Sequence, residues 1–165
     1  DAYIGALVTA MRNLPGRRVG TLIIIEERTG LADIIATGTK LEAIVSAALI
    51  ENIFEPNTPL HDGAMIIRGT SIVAAGCFLP LSDNNNISRQ LGTRHRAALG
   101  ISEVSDCHAF VVSEETGVIS VAHDGKLTRY LDEDQIRAIL SSIYTIQSRK
   151  ARLGNPFARR QKTDA

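Results

Sequence analysis

Two short segments hold side chains that could do chemistry. In "PLHDGAMIIRG", His61, Asp62, Gly63 and Ala64 stand at the mouth of an apolar strand, and in "GTRHRAAL", Thr93, Arg94, His95 and Arg96 open a short helix. A carboxylate beside two small residues can ligate a divalent metal or polarise a hydroxyl, while Gly63 and Ala64 let a ligand lie close to the backbone. Cations in the first turn of a helix oppose its macrodipole unless an anion sits there. A polyphosphate would meet free amides, the Thr93 hydroxyl and two guanidinium forks. A third segment, "VVSEETGVIS", puts Ser113, Glu114, Glu115 and Thr116 in a tight strand connection. One of its glutamates joins a metal site only if the loop lies beside Asp62. Each segment also has a plain structural reading: an Asx-turn at Asp62, surface ion pairs for Arg94 and Arg96, and an ordinary turn at 113–116.

The tripeptide "HDG" recurs at 123–125, between "GVISVA" and "KLTRY". Two β-like runs joined by Asp-Gly predict a hairpin, because that pair tolerates the positive φ of a type I′ turn. His123 is then a strand-end residue and needs no functional role. The first copy follows the proline-rich "EPNTPL" instead, and the hairpin after it already has its own turn at "RGTS".

The elements that must position these residues are readable in outline. Ile4, Leu7, Val8, Met11 and Leu14 recur at helical spacing, and "TLIII" at 21–25 reads as a strand buried on both faces. "TGTKLEAIVSAALIENIFEP" predicts one helix, capped by Thr39 with Glu42 three residues on and presenting Leu41, Ile44, Val45, Ala48 and Leu49. Pro56 and Pro59 end it. A hairpin follows from Ala64, then the polar loop "SDNNNISRQLG", then a helix capped by Thr93 or Ser88. Residues 107–131 alternate runs and turns as a β-meander. Asp132 and Gln135 cap a final helix carrying Ile136, Ile139, Leu140, Ile143 and Ile146. The expected fold is a single α/β domain over residues 1–148, with 149–165 a basic, disordered, solvated tail.

Bulk composition narrows the function classes. The 165 residues are 44% hydrophobic and 22% charged, with 4% aromatics and no tryptophan, so the core must be built from aliphatic side chains. A formal net charge of zero argues against general attraction to nucleic acid or anionic membrane. Cys77 and Cys107 lie far apart without metal-ligand spacing and read as buried free thiols of a reducing compartment. No apolar run reaches the roughly 18 residues of a membrane span, and no signal peptide opens the sequence. The chain starts at Asp1 rather than Met, which suggests a piece of a longer protein.

Together "NTPLHDGAMIIRG", "LGTRHRAALGISEVSD" and "VVSEETG" resemble the diadenylate cyclase domain, whose signature triplets are DGA and RHR. The resemblance runs from the first helix to the last and implies a mixed central β-sheet flanked by helices. It implies condensation of two ATP molecules into cyclic di-AMP by a homodimer that sets two single-ATP sites face to face. The catalytic set would be Asp62, Gly63, Ala64, Arg94, His95 and Arg96. ATP would be bound by Gly63, Phe78, Leu79, Gly92, Thr93, Arg94, His95, Arg96, Ser113 and Glu115. The metal, Mn²⁺ or Mg²⁺ with Co²⁺ as a further choice, would be held by Asp62, with His61 and Glu115 as additional ligands. More narrowly, the chain resembles the membrane-anchored bacterial type whose cyclase domain follows three transmembrane helices, so membrane attachment is expected only through that missing part. That type usually has tyrosine before "LPLS"; Phe78 keeps the ring and loses the hydroxyl. The preference for adenine rests on resemblance alone, and regulatory partners are not indicated. Two rivals remain: a nucleotide-binding sensor without turnover, and a different transferase passing AMP to another hydroxyl.

Overall fold

The computed structural model describes residues 2–84, 87 and 91–154. Its centre is β1 (Thr21–Glu26), all six residues of which are buried. Alternate side chains of this strand supply two separate cores. Ile23 and Ile25 join Met65, Ile67 and Phe110 beneath α1 (Ala2–Asn13), α3 (Ala47–Ile53) and α5 (Glu133–Leu153). Leu22 and Ile24 join Ile66, Ala109 and Val111 beneath α2 (Ala32–Ile35) and α4 (Thr93–Val104). The expected mixed sheet flanked by helices is therefore a three-layer sandwich.

Seven strands make up the sheet, in the order β2-β4-β3-β1-β5-β6-β7. Only β1 and β3 (Ala64–Arg68) run parallel; every other neighbouring pair is antiparallel. The expected hairpin is β3 with β4 (Ser71–Cys77), turning at Gly69 with φ 60°. The expected meander is β5 (His108–Val112), β6 (Ile119–His123) and β7 (Lys126–Thr128). Between β6 and β7, Asp124 and Gly125 have φ of 52° and 72°, as a type I′ turn requires. The second "HDG" is a turn.

The single helix expected from Thr39 is a correction. Thr39–Ile44 forms β2, paired antiparallel with β4, and the Thr39–Glu42 capping box does not form. Glu42 adopts φ 51° at a break in register between Lys40 and Ala43. The helix begins later, where Ser46 Oγ accepts from Leu49 N at 3.2 Å. Sheet pairing along β4 outweighs a local pattern that suited either structure.

At α5 the predicted capping box forms in full, with Gln135 N donating to Asp132 Oδ1 at 2.8 Å and Asp132 N to Gln135 Oε1 at 2.9 Å. The helix carries residues 149–153 of the expected tail in its last turns. Residues 155–165, and the alternative cap Ser88, lie outside the described residues. Cys77 and Cys107 are buried and free, as expected. No helix among the described residues is long and apolar enough to cross a membrane.

Candidate active site

A cavity of about 910 Å³ opens on the α4 side of the sheet, where β1 begins and β5 ends. All three segments singled out in the sequence line it: Asp62 and Gly63, Gly92 to His95, and Ser113 to Thr116. Its floor is Leu22, Val111 and Val112, and Phe78 and Leu79 stand along one wall. The volume suits a nucleotide-sized ligand.

Gly63 has φ 103°, and a Cβ there would lie 2.7 Å from the Cys77 carbonyl oxygen. The strand mouth therefore demands glycine and brings bare backbone to the cavity. Asp62 is exposed beside it. Ala64 is fully buried, pairs with Cys77 and packs in the α4-side core, so it supports the mouth from behind. His61 is outside the lining; its Nδ1 donates to the Thr58 carbonyl at 2.7 Å, which leaves Nε2 as its free nitrogen.

The N-terminus of α4 differs in one respect from the sequence reading. Gly92 is the N-cap, extended at φ −82° and ψ −166°, and Thr93 is already helical. Glycine brings no side chain to the first-turn amides. The first helical bond runs from Arg96 N to Gly92 O at 3.3 Å, so the amides of Thr93, Arg94 and His95 have no intrahelical acceptor. Arg94 packs its guanidinium against Gly20, where any Cβ would collide with it, and donates from Nη1 to Glu114 Oε2 at 3.2 Å. Arg96 does not line the cavity. Its carbonyl accepts from Ser82 N at 3.0 Å and so ties the segment after β4 onto α4. That segment also rests on Gly100, which has no Cβ to obstruct the Pro80 carbonyl.

His95 is 6% exposed, and its Nε2 has no hydrogen-bond partner among the described residues. Burial, then the guanidiniums of Arg129 and Arg94, push its pKa below the ordinary imidazole range. It is therefore a neutral imidazole at neutral pH. Arg129 is a site residue that sequence reasoning missed. It lines the cavity just past β7, and its Nε is buried without a partner among the described residues. "KLTRY" carries no pattern that marks an arginine as inward-facing; only the β6–β7 turn brings it there.

The connection after β5 is a compact turn. Ser113 N donates to Val118 O at 3.0 Å, and Gly117 N to Ser113 O at 2.9 Å. Ser113 Oγ accepts from Thr116 N at 3.3 Å. The turn and Asp62 line the same cavity. The cavity lining thus carries three carboxylates, Asp62, Glu114 and Glu115, and two guanidiniums, Arg94 and Arg129, with Arg94 paired to Glu114. Among the described residues, the one close-set group of three or more metal-ligating side chains is elsewhere, at Glu27, His108 and His123.

A mixed α/β sheet with a cavity over its strand ends, bounded by an uncapped helix N-terminus and two arginines, defines a nucleotide-binding domain. The chain belongs to the DAC family, described as DisA bacterial checkpoint controller nucleotide-binding, whose sequence model matches residues 8–127. It is 50% identical over 146 residues to the cyclic di-AMP synthase CdaA of Bacillus subtilis, covering 88% of this chain and 54% of that protein. It is 52% identical over 135 residues to a diadenylate cyclase of Listeria monocytogenes, covering 81% and 50%. The chain therefore spans about half the length of these relatives. Its structure matches a crystal structure of a double cysteine mutant of DacA from Staphylococcus aureus with a TM-score of 0.84 and 50% identity, over 86% of this chain and 95% of that one.

Proposed function

We propose that this chain is a diadenylate cyclase domain that condenses two ATP molecules into cyclic di-AMP and two pyrophosphates. The observation that carries the reading is that one cavity gathers Asp62-Gly63, the uncapped start of α4 and the Ser113–Thr116 turn. The names of the relatives agree with it.

In this reading the triphosphate lies against the amides of Thr93, Arg94 and His95, with Arg94 and Arg129 as charge partners and Ser113 as a hydroxyl donor. Phe78 is 68% exposed on the cavity wall, free to stack on a base, with Leu79 beside it. Gly63 lets the ribose approach the backbone, and Asp62 faces the 3′-hydroxyl. Each 3′-oxygen bonds to the other nucleotide's α-phosphorus, the bond from that phosphorus to the β-bridging oxygen breaks, and pyrophosphate leaves. Asp62 accepts or orients the hydroxyl proton as the new bond forms. His95, neutral and buried, turns an unpartnered side chain to the cavity beside the phosphate cradle, and Arg96 holds the roof segment through its carbonyl. Positioning supplies much of the rate.

Asp62 and Glu115 offer a sparse set of oxygen donors. That suits Mg²⁺ or Mn²⁺ held largely by phosphate oxygens and water. When bound, such an ion neutralises phosphate charge; His61, through Nε2, would favour Mn²⁺ or Co²⁺ over Mg²⁺.

A two-fold product from single-ATP cavities calls for two copies meeting mouth to mouth. We infer that the whole protein is attached to the bacterial membrane by a part outside this chain; the similarity to a hypothetical membrane spanning protein of Bacillus cereus, 44% identical with a TM-score of 0.75, supports that reading. The test is incubation with ATP and Mn²⁺, with products resolved by anion exchange and mass. Cyclic di-AMP from the native chain and none from Asp62→Asn is the expected result. ATP bound but unconsumed at high protein concentration would favour a sensor, and AMP transferred to another acceptor a different transferase.

A further inference from the structure

At the other end of β1 and β5 from the nucleotide cavity, three ligating side chains converge. Glu27 follows β1, His108 opens β5, and His123 closes β6 opposite His108 in the antiparallel β5–β6 pair. One ligand atom from each lies within 4.8 Å of the other two. We propose that Glu27, His108 and His123 form a binding site for a divalent transition metal of the Zn²⁺ type, separate from the catalytic site.

The hydrogen bonds prepare both imidazoles for that role. His123 Nδ1 donates to the Cys107 carbonyl at 3.0 Å, which fixes the tautomer and leaves Nε2 with a free lone pair. A backbone carbonyl behind the distal nitrogen is a usual outer partner of a ligating histidine. His108 Nδ1 lies 2.7 Å from Glu27 Oε2, and both side chains are only 16% and 15% exposed. An ion taking the place of the proton between them would sit about 2.0–2.2 Å from each, so the pair need only part slightly. The two rings stack with centroids 3.8 Å apart and planes 4° apart. That geometry brings their nitrogens together but keeps both from lying in one plane, so one ring must tilt on binding.

The backbone around the cluster is fixed. Asp106 accepts from Arg28 N at 3.1 Å and Thr29 N at 3.0 Å, anchoring the turn that carries Glu27. Cys107 is not among the converging ligand atoms, and its thiol is buried in the α4-side core. Three protein ligands with water in the fourth position complete a four-coordinate site. The cluster lies roughly 13 Å of strand away from the end of β5 that lines the cavity.

The experiment is calorimetric titration of the nucleotide-free chain with Zn²⁺ alone, beside thermal melting with and without Zn²⁺. The native chain should bind one Zn²⁺ and melt at higher temperature with it. His123→Ala and Glu27→Gln, the latter able to keep the hydrogen bond to His108, should each weaken binding at least about tenfold, since even an outer partner is worth that much. Asp62→Asn should bind Zn²⁺ as the native chain does. Absence of stoichiometric binding, unchanged affinity in both cluster variants, or loss of binding in Asp62→Asn alone would overturn the proposal. None of these outcomes depends on whether the chain makes cyclic di-AMP.

Discussion

Arg94 Nη1 and Glu114 Oε2 meet at 3.2 Å and join the start of α4 to the turn after β5. In the proposed complex the same guanidinium serves the triphosphate, so Glu114 competes with the substrate for it. Glu114→Gln should therefore tighten ATP binding, by up to about fivefold, because an exposed pair of this kind is worth at most about 1 kcal/mol. Arg94→Ala should weaken ATP binding by about tenfold or more through loss of charge-assisted hydrogen bonds. Equilibrium dialysis with ATP measures both; unchanged affinity in Arg94→Ala would remove this residue from the phosphate cradle.

Asp62→Asn should cut product formation at least about 100-fold, the lower range for loss of a positioned proton acceptor. ATP affinity should stay near the native value, since the exchange keeps shape and removes a negative charge from beside phosphates. Turnover near the native rate would withdraw the role given to Asp62.

Arg129, unlike Arg94, has a buried Nε with no hydrogen-bond partner among the described residues, and its guanidinium carbon lies 5.0 Å from the centroid of the Tyr130 ring. Arg129→Gln should weaken ATP binding and also raise the pKa of His95, since Arg129 is the larger of the two charges depressing it. A histidine NMR titration reads the second effect. An unmoved His95 resonance in the variant would mean the two side chains do not feel each other.

The depressed pKa of His95 has a consequence for stability. Its folded value lies below the unfolded value of about 6.5, so the unfolded chain takes up the proton first as pH falls. The stability contributed by this group is complete above about pH 6.5 and is lost as pH drops through the lowered folded value. The melting temperature of the native chain should therefore fall more steeply on acidification than that of His95→Gln. Parallel pH profiles would assign the slope to other groups.

Gly100→Ala should disturb the site without touching it. A Cβ at this position collides with the Pro80 carbonyl and lifts the segment that carries Leu79 and Leu81 into the cavity wall. Overpacking of this kind costs roughly 1–3 kcal/mol. The expected signature is a higher KM for ATP with a lower melting temperature. A native KM would show that the roof segment tolerates the displacement.

Much of this arrangement was legible from residue types. "TLIII" is continuous and β-branched and became the strand shared by both cores. The two "HDG" copies were separable by their flanks, since one has β-like runs on both sides and the other follows two prolines. What failed was "TGTKLEAIV", where apolar residues at 41, 44 and 45 and a capping pair fit a helix as well as a strand. Only β4, more than 25 residues further on, decides it. Arg129 was unreadable for a related reason: its role comes from a cavity wall assembled by distant segments. Thr93 suits a cap because of its hydroxyl, yet the extended residue is Gly92 and the helix starts one residue earlier than a Thr93 cap requires.

The break in register at Glu42 also limits how copies of this chain can associate. β2 is an outer strand of the sheet, and its irregular backbone presents an uneven row of amides and carbonyls to a neighbour. The opposite border, β7, is three residues long and begins with a lysine. Neither border is a good template for adding a strand, so the sheet resists growing from molecule to molecule into a continuous ribbon. Crowding these domains together should therefore favour discrete, reversible pairs over fibrous aggregates.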